Sequence, residues 1–232
     1  MKRLMMVAVL AVAQSGCVAA QADAPVQLTN ALALSYEDGE CSPDTTKFIG
    51  QGSLDVRGGE NYLLAMRTRN AIPAARAVPI GDTPTTVGGS NITLTEFVYS
   101  YQLSVPEGVK LPGDFSLPGP EEDVVATYVV LPAGSAGDSS YVFVEAFGPK
   151  AFAQLSRLND SGLPKTTALG IITTIKARGR LGASSNVESN EFSFPVKVFS
   201  SPPCGAAQVL GGLCRAGQDV QSACVTPPPT TP

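Results

Sequence analysis

The chain has 232 residues, with 16 Lys+Arg against 20 Asp+Glu, a formal net charge of -4 and no histidine. An acidic balance with no concentrated basic run excludes the usual electrostatic footprint of a nucleic-acid partner. The absence of histidine removes the usual neutral-pH general base, and with it Ser-His-Asp and Cys-His catalysis in their standard forms.

Lys2 and Arg3 precede an unbroken apolar run from Leu4 to Ala13. That run is shorter than the roughly 20 residues a membrane-spanning helix needs. A charged start, a short apolar centre and small residues beyond it form the pattern of a removable signal peptide, expected over residues 1–16. Gln14-Ser15-Gly16-Cys17 resembles the lipobox of bacterial lipoproteins, with Gln14 standing where that family usually has an aliphatic residue. The resemblance implies that Cys17 is acylated and becomes the mature N-terminus, followed by a tether over 17–27. Val18, rather than Asp, after Cys17 implies sorting to the outer membrane. The competing expectation is ordinary cleavage after Ala20 or Ala22, each preceded by a small-x-small sequence.

Beyond the leader, about 210 residues rich in Gly, Pro, Val and Thr predict strands joined by turns. Leu28, Leu32, Leu34 and Tyr36 are expected on one face of a first strand, and Phe48, Leu54 and Val56 in a second. Gly58-Gly59 then predicts a hairpin into Tyr62, Leu64 and Met66, with Arg67 and Arg69 on the alternate face. Residues 71–90 read as a long surface loop. In Asn91–Val105 the apolar phase changes near Thr95 or Glu96, as one extra residue in a bulge would cause. Residues 106–122 read as a Pro/Gly loop.

Asp123–Leu131 is apolar at nearly every position, which predicts a strand buried on both faces. A Gly/Ser-rich turn leads back into Tyr141, Phe143 and Phe147. Pro149 with Phe152, Leu155 and Leu158 predicts a short helix. A last hairpin pairs Leu169, Ile171, Ile175 and Leu181 with Phe192, Phe194, Val196 and Val198. The fold class is therefore all-β: an antiparallel β-sandwich of about eight strands over residues 28–199, with one short helix. Its strand pattern resembles immunoglobulin-like envelope domains, without the Cys-Trp-Cys core, since the chain has no Trp. Residues 200–224 form a Cys-rich segment to be stapled by disulfides, and 225–232 a disordered Pro/Thr tail.

Setting Cys17 aside leaves Cys41, Cys204, Cys214 and Cys224, an even set suited to two disulfides in an oxidising compartment. Their wide spacing does not match zinc or iron-sulfur motifs, so no metal or other cofactor is expected. Of three connectivities, Cys41–Cys204 with Cys214–Cys224 is expected, because the first bridge would tie the end of the last strand to the first interstrand loop. Glu96 and Glu145 are the candidate pair for a carboxylate-based carbohydrate-active enzyme. Glu37, Asp38, Glu40 and Asp44 form an acidic turn without the spacing of an EF-hand. Lys176, Arg178 and Arg180 line one strand face, a solvated surface that also suits a polyanion. Asn91-Ile92-Thr93 and Asn159-Asp160-Ser161 match glycosylation sequons. The sequence thus predicts a non-enzymatic envelope lipoprotein, attached to the membrane by lipid and serving an unknown envelope protein or polysaccharide. The rival is a soluble secreted or periplasmic binding module.

Overall fold

The computed structural model describes residues 24–226 except 38–39, 81–82, 136–139, 160–162, 164, 183–184, 207 and 221–223. The leader, Cys17, Asp38 and the last six residues of the tail lie outside that set. The described strands are β1 (Val26–Glu37), β2 (Glu40–Ile49), β3 (Gly52–Asp55), β4 (Leu63–Asn70), β5 (Arg76–Ile80), β6 (Thr83–Val87), β7 (Ile92–Ser104) and β8 (Asp123–Leu131). They continue with β9 (Tyr141–Glu145), β10 (Leu169–Leu181), β11 (Ser185–Glu188), β12 (Phe192–Phe199), β13 (Val209–Leu210) and β14 (Cys224–Val225). The α-helix among the described residues is α1 (Pro149–Ser156). It is not long and apolar enough to cross a membrane.

Two sheets carry the fold, one in the order β2-β1-β4-β9 and one in the order β3-β12-β10-β7-β8, with β11 paired to β10. Period-two alternation turns Leu64, Met66, Val142 and Val144 of the first sheet and Phe97, Ile171, Ile175, Phe194 and Val196 of the second into one buried cluster. The chain is mostly β, as expected. The strands outnumber the eight anticipated, and the pairing is not wholly antiparallel, because β3 runs parallel to β12.

Several local expectations change for stateable reasons. Leu28, Leu32 and Leu34 do not share a face. A register shift between Leu28 and Asn30 sends Leu28 to the common core, and Leu32 and Leu34 to a second cluster with Ala65. The expected second strand breaks at Gly50: Phe48 ends in β2, whereas Leu54 belongs to the other sheet. For the same reason Gly58-Gly59 does not close a hairpin, although Tyr62, Leu64 and Met66 are fully buried as the spacing predicts. Within 71–90, β5 and β6 pair with each other as a two-stranded antiparallel ribbon in place of the expected loop. The run Asp123–Leu131 alternates between exposed and covered positions because β8 is an edge strand with one neighbour, β7. The phase change near Thr95 is present as a register shift of β7 against both β10 and β8.

α1 forms where Pro149 presets the first turn, and it buries Ala151 and Leu155 against the core. Its N-terminal turn is capped from outside. Asp123 accepts from the backbone N–H of Lys150 at 3.1 Å and of Ala151 at 2.9 Å, and from the Tyr101 hydroxyl at 2.9 Å.

The C-terminal segment closes the molecule by two disulfides, Cys41–Cys214 and Cys204–Cys224. This corrects the expected pairing of Cys41 with Cys204 and Cys214 with Cys224. Residues 211–219 fold back across the end of the β2-β1-β4-β9 sheet, and several contacts fix that path. The Gln218 side chain bonds both backbone groups of Leu63, at 2.9 and 3.0 Å, as a neighbouring strand would. Asp219 accepts from Ser53 N at 2.8 Å and from the Tyr62 hydroxyl at 2.6 Å. Cys214 is thereby set 5.6 Å, Cα to Cα, from Cys41. Cys204 is left to Cys224, beside the short β13–β14 ladder.

Candidate functional site

The two candidate carboxylates do not converge. Glu96 lies on β7 and Glu145 on β9, strands of different sheets, and each meets its own arginine. Glu145 accepts from Arg215 at 2.7 Å and from Asn61 at 3.0 Å, which ties the C-terminal segment to the end of β9. Its role there is a clamp.

Two of the three cations in the row on β10, Lys176 and Arg178, are paired within the molecule, and Arg180 stands at the end of the row beside Asn186 of β11. Arg178 sits among Glu188 at 2.8 Å, Glu121 at 3.0 Å and Glu96 at 3.4 Å. The hydrogen bonds that Arg178 donates to Glu121 and Glu188 push its pKa above the ordinary arginine value. Lys176 faces Glu191 at 3.4 Å and Glu188 at 3.8 Å. Four carboxylates thus surround Lys176 and Arg178, leaving little positive field for a polyanion. In the acidic turn, Asp44 is occupied by Thr46 and by Lys47 at 2.9 Å, which hold its carboxyl far below the usual range. Among the described residues no group of three or more His, Cys, Asp or Glu side chains could hold a metal ion. The Asn91 side chain accepts from Ala133 N, so that sequon is engaged in a turn.

A different surface stands out: the outer face of the β2-β1-β4-β9 sheet. Register places Phe48, Leu32, Ala65 and Phe143 side by side across the four strands. The next outward row holds Asn30, Arg67 and Tyr141, followed by Gln27 beside Arg69. Leu32 and Ala65 form a buried floor, whereas Phe48 is 53% exposed, Phe143 44% and Tyr141 40%. The aromatic flanks stand three strand spacings apart, about 14 Å. Arg67 spans the floor, with its guanidinium 4.9 Å from the Phe48 ring centroid and a hydrogen bond of 2.7 Å to Thr45 O. Tyr141 and Phe143 meet edge to face, with centroids 5.6 Å apart. At the other end of the sheet the Cys41–Cys214 bridge closes over Leu34 and Leu63.

This arrangement suits binding. It joins exposed ring edges and guanidinium groups on a rigid sheet, and the nearby carboxylates Asp44 and Glu145 are held by Lys47 and Arg215. The alternation that sets Arg67 and Arg69 opposite Leu64 and Met66 holds, whereas the sequence pattern names Tyr141 and Phe143 in a strand without assigning them a face. The available signal was Glu145, which shares their phase and marks it as the solvent side, with Val142 and Val144 filling the core in the other phase.

Buried groups beneath this face are structural. Burial pushes the Tyr62 phenol and the Asp219 carboxyl up from their ordinary values, and each satisfies the other. On the opposite sheet an open cavity of about 360 Å³ lies over Gly170, lined by Gln51, Gln102, Ser104, Ile172 and Lys197. There the missing side chain of Gly170 leaves the gap between Ser104 and Lys197. No protein-family model, curated protein or solved structure matches the chain.

Proposed function

We propose that the protein is an exported cell-envelope lipoprotein, held by lipid on Cys17 and serving a non-enzymatic structural or interaction role. One observation carries the reading. Of five cysteines, four are consumed in two disulfides, which leaves Cys17 as the single cysteine outside them. Disulfides suit an oxidising, extracytoplasmic compartment. The count argues against a retained free thiol at Cys17, and the position of that cysteine directly after Ser15-Gly16, at the end of a short apolar leader, favours acylation over cleavage after Ala20 or Ala22. The immunoglobulin-like sandwich belongs to the same proposal, supported by two sheets that share one core. Outer-membrane placement follows from Val18 and is part of it. The partner is an envelope protein or polysaccharide.

The test is membrane partitioning of the wild type and of Cys17→Ala after expression in a bacterial host. Wild type is expected in the detergent phase and Cys17→Ala in the aqueous phase. A Cys17→Ala chain that still partitions as an acylated protein would refute lipid attachment at this residue. Wild type found free in the periplasm, beginning at Gln21 or Asp23, would instead establish the soluble module.

A further inference from the structure

We propose that the outer face of the β2-β1-β4-β9 sheet is a membrane-contact surface, which takes the headgroup zone of an anionic phospholipid leaflet. Phe48, Tyr141 and Phe143 enter that zone, and Arg67 and Arg69 meet lipid phosphates. The orientation rests on the lipoprotein reading. The chemistry of the face does not.

Three observations select this occupant. The first is composition: amphipathic rings and guanidinium groups together are what an interface between apolar chains and phosphate accommodates. Tyr141 and Phe143 stand edge to face rather than coplanar, so they make no flat platform for a sugar ring. The second is charge. The whole chain is acidic, yet on this face Asp44 and Glu145 are paired with Lys47 and Arg215. On the other sheet Lys176 and Arg178 are enclosed by Glu96, Glu121, Glu188 and Glu191. An anionic surface therefore meets little repulsion around Phe48, Tyr141 and Phe143, because Glu37 and Glu40 lie at the far, hairpin end of β1 and β2.

The third is where the anchor enters. β1 begins at Val26, opposite Asn70, so the tether joins the domain at the Arg69 end of this face. Residues 18–25 span at most about 28 Å when fully extended. The domain is thus confined near the leaflet that holds the lipid, and the aromatic face adjoins the point of attachment. Docked this way, the opposite sheet, with the cavity over Gly170, faces the aqueous compartment.

The chain has no Trp, so a single introduced Trp is a unique reporter. Phe143→Trp is placed in the full chain carrying Cys17→Ser, which removes the acyl group, and emission is read with phosphatidylglycerol and with phosphatidylcholine vesicles. A blue shift is expected with phosphatidylglycerol, with little shift on phosphatidylcholine, and salt should reverse it. Tyr128→Trp, on the exposed outer side of β8, should not shift. Arg69→Gln added to Phe143→Trp should weaken vesicle affinity about fivefold without disturbing the core.

No shift of Phe143→Trp on anionic vesicles would overturn the proposal, as would an equal shift of Tyr128→Trp. A shift that depends on protein concentration without vesicles would assign the face to a second copy of the chain, and equally overturns it. Because these variants lack the acyl group, failure here leaves the lipid attachment at Cys17 to be judged by partitioning alone.

Discussion

Asp123 begins β8 yet places both carboxylate oxygens on the first turn of α1, where they accept from Lys150 N, Ala151 N and the Tyr101 hydroxyl. That hydroxyl in turn accepts from Gly148 N at 2.8 Å, so one buried carboxylate and one phenol satisfy the helix start. Burial pushes the Tyr101 phenol above its ordinary pKa, which keeps it a donor. A Cβ on Gly148 would fall within the van der Waals shell of the Asp123 carboxylate. Gly148→Ala is therefore expected to cost about 2–4 kcal/mol, because it breaks a buried hydrogen-bond network. Urea denaturation checks this, and a loss under about 0.5 kcal/mol would contradict the capping role. The helix itself is legible from Pro149, Leu155 and Leu158. Its cap is not, since the capping residue comes from a strand elsewhere in the chain.

Elements were legible where local pattern decides side-chain direction. The phase change in β7 is the clearest case: Ile92 and Leu94 precede it, Phe97 and Tyr99 follow it, and all four are buried because Thr95 is extra. Deleting Thr95 would turn one of these pairs to solvent, so the deletion is expected to abolish cooperative unfolding, whereas Thr95→Ala should stay within about 0.5 kcal/mol of wild type. A deletion variant that unfolds cooperatively near the wild-type midpoint would contradict the register. In β1 the pattern misleads, because Leu28, Leu32 and Leu34 keep even spacing across the bulge that separates them. In β8 the apolar run conceals that an edge strand buries one face, and which face that is.

At the scale of the molecule, adjacency in sequence was a poor guide to adjacency in sheets. β3 and β4, and likewise β8 and β9, follow each other in the chain but sit in different sheets. Disulfide connectivity was undecidable from spacing for the same reason: it depends on how residues 211–219 cross the β2-β1-β4-β9 sheet. The two bridges close loops of very different size, with sequence separations of 173 and 20. In the chain-entropy account they contribute about 5 and about 3 kcal/mol. Cys41→Ser/Cys214→Ser should thus lose about 2 kcal/mol more stability than Cys204→Ser/Cys224→Ser, as read by urea midpoints. Equal losses would contradict the long-range staple. The candidate face was half legible. Arg67 and Arg69 were placed outward by alternation, but joining them to Phe48 and Tyr141 required strand order.

The account turns on Cys17, the cysteine that the two disulfides leave over. Intact-mass analysis of the mature protein from a bacterial envelope, under non-reducing conditions, tests it most directly. The expected result is a chain beginning at Cys17 with added acyl mass and four cysteines in disulfides. A chain beginning at Gln21 or Asp23 without acyl mass would contradict it.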